Sequence, residues 1–137
     1  MGLYLCIFEN DEDVGGVDVG SYSDFNVLRD FIVRELETQR AGSRFPTLIL
    51  HSDCDGEWSV ADCEKLRGEL AEIIRNLKMR PTVQYASDWQ RAVAKSCGLN
   101  PRNAFESFID VDGEFLLQRI QELADLALQR QQPIIFQ

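Results

Sequence analysis

Positive charge and histidine are both scarce in this sequence. Its 137 residues include 14 Lys and Arg against 23 Asp and Glu, for a formal net charge of −9 at pH 7, and His51 is the only histidine. A negative field of this size repels phosphate backbones and anionic lipid and attracts basic partners, although it can also serve solubility alone. Because the arginines are scattered as well, we expect no nucleic-acid partner and no membrane partner.

The sequence also lacks a long hydrophobic run. No apolar stretch approaches the ~20 residues that span a bilayer, and no basic region followed by an apolar core suggests a secretion signal. The cysteines are dispersed, which is typical of reduced thiols rather than of a disulfide framework. They are Cys6, Cys54, Cys63 and Cys97. We therefore expect a cytoplasmic protein.

Length and apolar runs predict one domain built around a sheet. A chain of 137 residues that is 45% hydrophobic can bury one core, so we expect a single globular domain over residues 1–137. Apolar runs predict strands of one sheet at residues 2–8, 45–51, 105–109 and 133–137. Residues 14–19 are expected to pair with the first strand as a hairpin, whereas residues 82–86 fit either an edge strand or a loop.

Capping patterns predict where the helices begin. Ser21, Ser59 and Ser87 are each followed three residues later by Asp or Gln, as in a capping box, and then by apolar residues at helical spacing. A fourth apolar pattern begins at Phe115, and Gly98 is a natural helix end. The interleaved elements predict an α/β fold, an α+β-like sandwich of two or three layers, with a mixed sheet of about five strands and four main helices.

Two short acidic segments repeat each other along the chain. Residues 53–58 read Asp-Cys-Asp-Gly-Glu-Trp, and residues 110–115 read Asp-Val-Asp-Gly-Glu-Phe. Each follows an apolar run and precedes a helical pattern, so we expect both turns at the same end of the sheet, with their aspartates forming one negative rim if the strands are parallel. The candidate partner-binding residues lie in these segments. They are Asp53, Asp55, Glu57, Trp58, Asp110, Asp112 and Glu114.

The role of Trp58 stays open between two alternatives. A tryptophan beside a helix cap can staple the first helical turn against the core. An exposed tryptophan among carboxylates would instead suit an interface anchor. The sequence does not separate these alternatives.

The second acidic segment resembles the nucleophile motif of haloacid-dehalogenase phosphatases. In that family the first aspartate, here Asp110, attacks phosphorus, the second, here Asp112, acts as acid and base, and Mg²⁺ lies nearby. Only 25 residues follow Asp112, which leaves no room for the lysine and the metal-binding aspartates that this family places on later strands. A metal-dependent or phosphatase-like enzyme is therefore the alternative and not the main interpretation.

Metal binding and nucleophilic catalysis have weaker support. His51, Asp53, Cys54 and Asp55 are clustered, but zinc prefers more nitrogen and sulfur ligands, and the longer calcium-binding loop is absent. A Cys54–His51 or Cys63–His51 pair is conceivable, yet no surrounding motif supports it. Aspartates and glycine at tight turns most often cap helices. We therefore expect no catalytic residue, no metal and no cofactor.

Several blocks spread along nearly the whole chain give it a family likeness. They are residues 2–8, 19–22, 42–48, 51–59, 108–114 and 132–136. With these blocks the chain resembles the immunity protein 70 family of bacterial polymorphic toxin systems. The resemblance implies a non-enzymatic protein that binds and neutralises a toxin encoded by a neighbouring gene. An acidic surface is compatible with this role, because charge speeds association with a basic toxin and aromatic anchors prolong the complex.

Overall fold

The computed structural model describes residues 2–137 and contains, within them, four strands and five α-helices. The strands are β1 (Gly2–Glu9), β2 (Glu12–Ser21), β3 (Glu57–Trp58) and β4 (Ile134–Phe136). The helices are α1 (Tyr22–Leu36), α2 (Pro46–Ile49), α3 (Val60–Leu77), α4 (Asp88–Cys97) and α5 (Leu116–Arg130). The predicted class, a sheet combined with four main helices, is confirmed. No helix in residues 2–137 is long and apolar enough to cross a membrane.

The strands form one sheet in the order β2-β1-β4-β3, in which every pairing is antiparallel. The β1–β2 hairpin and the C-terminal strand are confirmed. β4 lies inside the sheet, with β1 on one side and the two-residue β3 on the other. The sheet has four strands, close to the five expected, and it is not mixed because residues 45–51 and 105–109 are not strands.

Residues 45–51 form the short helix α2 and the turn that follows it, so the predicted strand is wrong. Pro46 begins the helix, and the carboxylate of Glu69 in α3 accepts two amide N–H groups of its first turn at 3.1 Å. At the other end, Arg29 in α1 donates to three carbonyl oxygens, including that of His51 at 2.6 Å. Side chains distant in sequence thus satisfy the polar groups at both ends of a helix only four residues long.

The strand predicted at residues 105–109 is also wrong. Phe105–Ser107 is a 3₁₀ turn, and Ile109 makes only an isolated antiparallel bridge to Phe115. The apolar side chains of this run are still buried, because the turn directs Phe105 and Phe108 into the core. A short apolar run predicts burial well and secondary structure poorly. Residues 82–86 form neither strand nor helix.

All three predicted helix starts are confirmed. The hydroxyls of Ser21 and Ser59 each accept the amide N–H three residues later at 3.0 Å. At Ser87 the side chain of Gln90 accepts the backbone N–H at 3.2 Å. Gly98 ends α4 with a φ of 68°, a left-handed conformation that glycine adopts without steric cost.

The helical layer covers one face of the sheet. Side chains alternate along β1, so Leu3, Leu5 and Ile7 point to the same side, where each is fully buried. Val17 and Val19 of β2 join them, and α1, α3 and α5 pack over this inner face. The architecture is a two-layer sandwich.

The buried carboxylate of Asp24 links α1 to α4. It accepts the backbone N–H and the hydroxyl of Ser21 at 2.9 and 2.7 Å, the indole N–H of Trp89 at 2.9 Å, and the hydroxyl of Ser87. Burial raises the pKa of Asp24, but these hydrogen bonds outweigh it and lower the pKa below its usual value of 3.8.

Asp24→Asn is expected to reduce the free energy of unfolding by about 2 kcal/mol at pH 7, because an amide N–H₂ would face hydrogen-bond donors. The carboxylate contribution is fully present above the unfolded pKa and is lost as pH falls through the lower folded pKa. Urea titrations should therefore show the variant approaching the wild type below about pH 4. The exposed Asp30→Asn is the matched control. An equal difference at pH 7 and pH 2.5 would contradict this assignment.

Candidate partner-binding surface

The first acidic turn, residues 53–57, lies between α2 and β3. The side chains of Asp55 and Glu57 are exposed, and that of Asp53 is half-buried. Asp53 accepts a hydrogen bond from the side chain of Asn26 at 2.7 Å, which lowers the pKa of Asp53, with a further contribution from the nearby charge of Arg29. All three side chains are available at the surface on a turn that α1 holds in place.

His51 fixes the base of this turn. Its ring stacks on that of Phe136 with centroids 4.1 Å apart, and its two nitrogens lie 2.9 Å from the carbonyl oxygen of Ser52 and 2.8 Å from that of Glu57. Because carbonyl oxygens only accept, both contacts are hydrogen bonds when both nitrogens carry protons. Each ring nitrogen faces a backbone carbonyl oxygen of the turn, and neither is hydrogen-bonded to a cysteine.

The other components of the conceivable nucleophile and metal sites are not assembled around His51. Cys54 lies 3.7 Å from the hydroxyl of Ser52, and the buried Cys63 donates to the carbonyl oxygen of Trp58 at 3.8 Å. Within residues 2–137, no three His, Cys, Asp or Glu side chains are grouped so as to hold a metal ion.

Trp58 is not an exposed anchor in this structure. Only 1% of it is exposed, its ring packs edge-on against Phe136, and its indole N–H donates to the carbonyl oxygen of Thr47 at 3.0 Å. The large apolar side chain that is exposed near the turn is Leu50, at 65%. Leu50 is absent from the residues predicted from sequence, because its segment is as apolar as a buried strand.

Asp110, in the second acidic turn, is fully buried and shapes that turn from inside. One carboxylate oxygen accepts the amide N–H groups of Asp112 and Glu114 at 2.9 and 3.0 Å, and the other lies 3.5 Å from Nε of Arg119. Burial raises the pKa of Asp110 despite these partners. Asp110 is therefore corrected from a contact residue to a turn residue, whereas Asp112 and Glu114 are exposed.

The two acidic turns lie at opposite edges of the sheet. At the β3 edge, the carbonyl oxygen of Gly56 accepts the N–H of Phe136 at 3.0 Å; at the β2 edge, that of Asp18 accepts the N–H of Val111 at 3.1 Å. Three strand spacings of about 4.8 Å separate the two edge strands, so the turns are at least about 14 Å apart. The strands that would have joined the four aspartates into one rim are absent.

Positive charge is missing from both turns and from the sheet. Residues 45–64 and 103–118 contain no Lys or Arg, and none of the four strands contains one. The 14 basic residues of the chain lie in the helices and in other loops. The basic side chains that do approach the turns come from helices: Arg29 of α1 lies near Asp53, and Arg119 of α5 lies 3.5 Å from Asp110.

Comparison with known families adds one finding. Residues 3–136 match the family model described as Immunity protein 70. The chain belongs to the immunity protein 70 family. No curated protein and no solved structure matches it. Membership implies an immunity protein whose partner is a protein toxin, and it favours a binding role over a catalytic one.

An immunity protein contacts its partner through surface residues, so only the candidate residues that are at least partly exposed can take part in binding. The buried Trp58 and Asp110 leave this set, and Leu50 joins it. The accessible carboxylates are those of Asp53, Asp55, Glu57, Asp112 and Glu114.

Proposed function

We propose that this protein binds a toxin encoded by a neighbouring gene and neutralises it, using the first acidic turn as a main contact. The observation that supports this most strongly is the pairing of exposed carboxylates with a surface segment free of Lys and Arg, in a chain of the immunity protein 70 family. Such a surface complements a basic one and accelerates the encounter with it.

Leu50 supplies the apolar element that an acidic surface needs for a long-lived complex. It stands next to His51 at the base of the turn and borders a shallow groove with Pro46 and Asp62. A lysine or arginine of the toxin could lay its aliphatic stem on Leu50 and direct its charge to a carboxylate. Apolar contacts of this kind mainly slow dissociation, whereas the surrounding charges mainly speed association.

The turn is held in its shape before any partner arrives. Asn26 and Arg29 fix it from α1, and His51 fixes it from below by contacts with Glu57 and Phe136. A surface with little freedom to lose on binding keeps more of its interaction energy as affinity. Catalysis is not part of this proposal, because the aspartate that would attack phosphorus is buried.

Replacing Asp53 and Asp55 by Asn and Glu57 by Gln is expected to weaken toxin binding by about tenfold, or ~1.4 kcal/mol, mainly through slower association. Raising salt from about 0.05 to 0.5 M should slow wild-type association markedly and affect the triple variant less, since the screening length shrinks severalfold. Surface plasmon resonance with the toxin domain and rescue of toxin-expressing cells would measure both effects.

The matched control removes three exposed carboxylates from the helical layer, with Asp30 and Asp125 changed to Asn and Glu64 to Gln. It has the same net charge as the test variant and should bind within about twofold of the wild type. If both variants lose affinity equally, only net charge matters and the turn is not the contact. A wild type that neither binds nor neutralises the neighbouring toxin would refute the immunity role itself.

A further inference from the structure

The face of the sheet opposite the helices is open. Tyr4, Cys6 and Phe8 alternate with Leu3, Leu5 and Ile7 along β1, so they point outward, although Cys6 itself is fully buried. Cross-strand neighbours share a face, and the register places Asp18, Gly16 and Asp13 beside these three residues, respectively. On the other side, Ile135 is beside Cys6, and Glu57 is beside Ile135. We call this set of eight residues the outer face.

The outer face is acidic around an apolar centre. Asp13, Asp18 and Glu57 are exposed, and Tyr4 and Ile135 are half-buried. Phe8 is half-buried as well. Since the strands contain no Lys or Arg, no basic strand residue neutralises these carboxylates across the sheet.

The pKa of the Tyr4 hydroxyl depends in part on the negative charges near it. Its hydroxyl donates to Asp13 at 2.7 Å, and its ring extends over Gly16, where a Cβ would collide with it. This hydrogen bond, burial, and the negative charges of Asp13 and Asp18 raise the pKa of Tyr4 to about 12. The neighbouring Cys6 thiol has its pKa raised to about 11 by burial and by Asp13. Burial is the main cause for Cys6, whereas Asp13 contributes to both shifts through its negative charge.

The two acidic turns flank the outer face, one beside each edge strand. The backbone of the first turn is hydrogen-bonded to β4 through Gly56, and that of the second turn is hydrogen-bonded to β2 through Val111. The face extends about 26 Å along β1 but reaches its full width of about 14 Å only where the short β3 and β4 pair, so its area is well below about 370 Å². A standard interface buries about 800 Å² on each partner, so the face would be its centre and the flanking turns would supply much of the remainder.

We propose that the outer face is the centre of the toxin interface and that it takes a basic protein surface whose lysine and arginine stems cover Tyr4, Phe8 and Ile135. This inference rests on the proposed function and extends it from the first turn to the sheet. A second copy of this chain is a poor occupant, because two outer faces would oppose carboxylate to carboxylate with no basic strand residue between them.

Ile135→Lys tests the proposal at the middle of the face, between Cys6 and Glu57. The lysine stem can occupy the half-exposed site, while its charge repels a basic partner. Binding to the toxin domain encoded by the neighbouring gene should therefore weaken at least tenfold. Met79→Lys is the matched control, because Met79 is 73% exposed at the end of α3 and is not on the sheet. It should bind within twofold of the wild type in isothermal titration calorimetry.

A second variant tests the same proposal if Ile135→Lys fails to fold. Asp13→Asn with Asp18→Asn retains the oxygens that accept the amide N–H groups of Gly15 and Gly20, and removes two charges from the face. It should slow association about fivefold at low salt. If both variants fold and bind the toxin domain with wild-type affinity, the outer face is not part of the interface, and the proposed function is unaffected. Absence of binding by the wild type would overturn the proposed function as well, and a wild-type dimer abolished by Ile135→Lys would assign the face to self-association.

Discussion

Deletion of residues 133–137 is expected to abolish cooperative folding or to lower the melting temperature by about 20 °C. These residues include β4, which lies between β1 and β3, so its loss leaves β3 without a strand partner and exposes one edge of β1. Ile134 is fully buried and Phe136 is 4% exposed. Burying two such side chains contributes about 4–6 kcal/mol, a large part of the 5–15 kcal/mol typical of a domain, and each kcal/mol shifts the melting temperature by roughly 4 °C.

Phe136→Ala separates the side chain from the strand. Phe136 contacts the rings of Phe25, His51 and Trp58, with centroids 6.3, 4.1 and 4.7 Å away, so its removal should cost about 3–5 kcal/mol while β4 remains. Circular dichroism melts of the parent, the Phe136→Ala variant and the truncated chain would rank the three. A truncated protein that is soluble and melts at the parent temperature would refute this account of β4.

Glu37→Gln is expected to reduce the free energy of unfolding by about 3 kcal/mol, although the two side chains have nearly the same shape. Glu37 is 1% exposed, and its carboxylate accepts the amide N–H groups of Gly42, Arg44 and Phe45 at 3.0, 2.8 and 2.8 Å. The glutamine amide would place an N–H₂ donor against at least one of these donors and leave it unsatisfied in a buried site. The loop between α1 and α2 should then loosen.

Urea denaturation would measure this cost, and Glu64→Gln provides the control. Glu64 is exposed in α3, so the same chemical change there should alter stability by less than about 0.5 kcal/mol. Amide hydrogen exchange gives a second measurement, since the protection of Arg44 and Phe45 should fall while that of α5 is retained. Equal stabilities for the two variants would show that the carboxylate does not organise this loop.

The sequence predicted the elements whose determinants are local. A serine and the Asp or Gln three residues later identified the starts of α1, α3 and α4, because capping involves only the first helical turn. The hairpin and β4 were predictable for a similar reason, since apolar strand residues between turns leave few alternatives. Family membership was also evident in the sequence, because the matching blocks extend along the chain.

The errors occurred where distant residues decide the local structure. Residues 45–51 are as apolar as a strand, but Glu69 and Arg29 satisfy the ends of a helix there, and neither contact is visible in the segment itself. The same limit applies to the acidic turns. Nothing in the two similar motifs distinguishes the buried Asp110 from the half-buried Asp53, because Arg119 approaches one and Asn26 the other.

The position of β4 in the sheet also constrains when the protein can fold. Leu5 pairs with Phe136, at the opposite end of the described chain, and β3 has no strand partner other than β4. Contacts between residues so far apart in sequence close late and make folding slow. During synthesis, the first acidic turn and the outer face would therefore remain incomplete until residues 134–136 have been made. The proposed binding surface thus depends on a strand that is made more than 70 residues after the turn it completes.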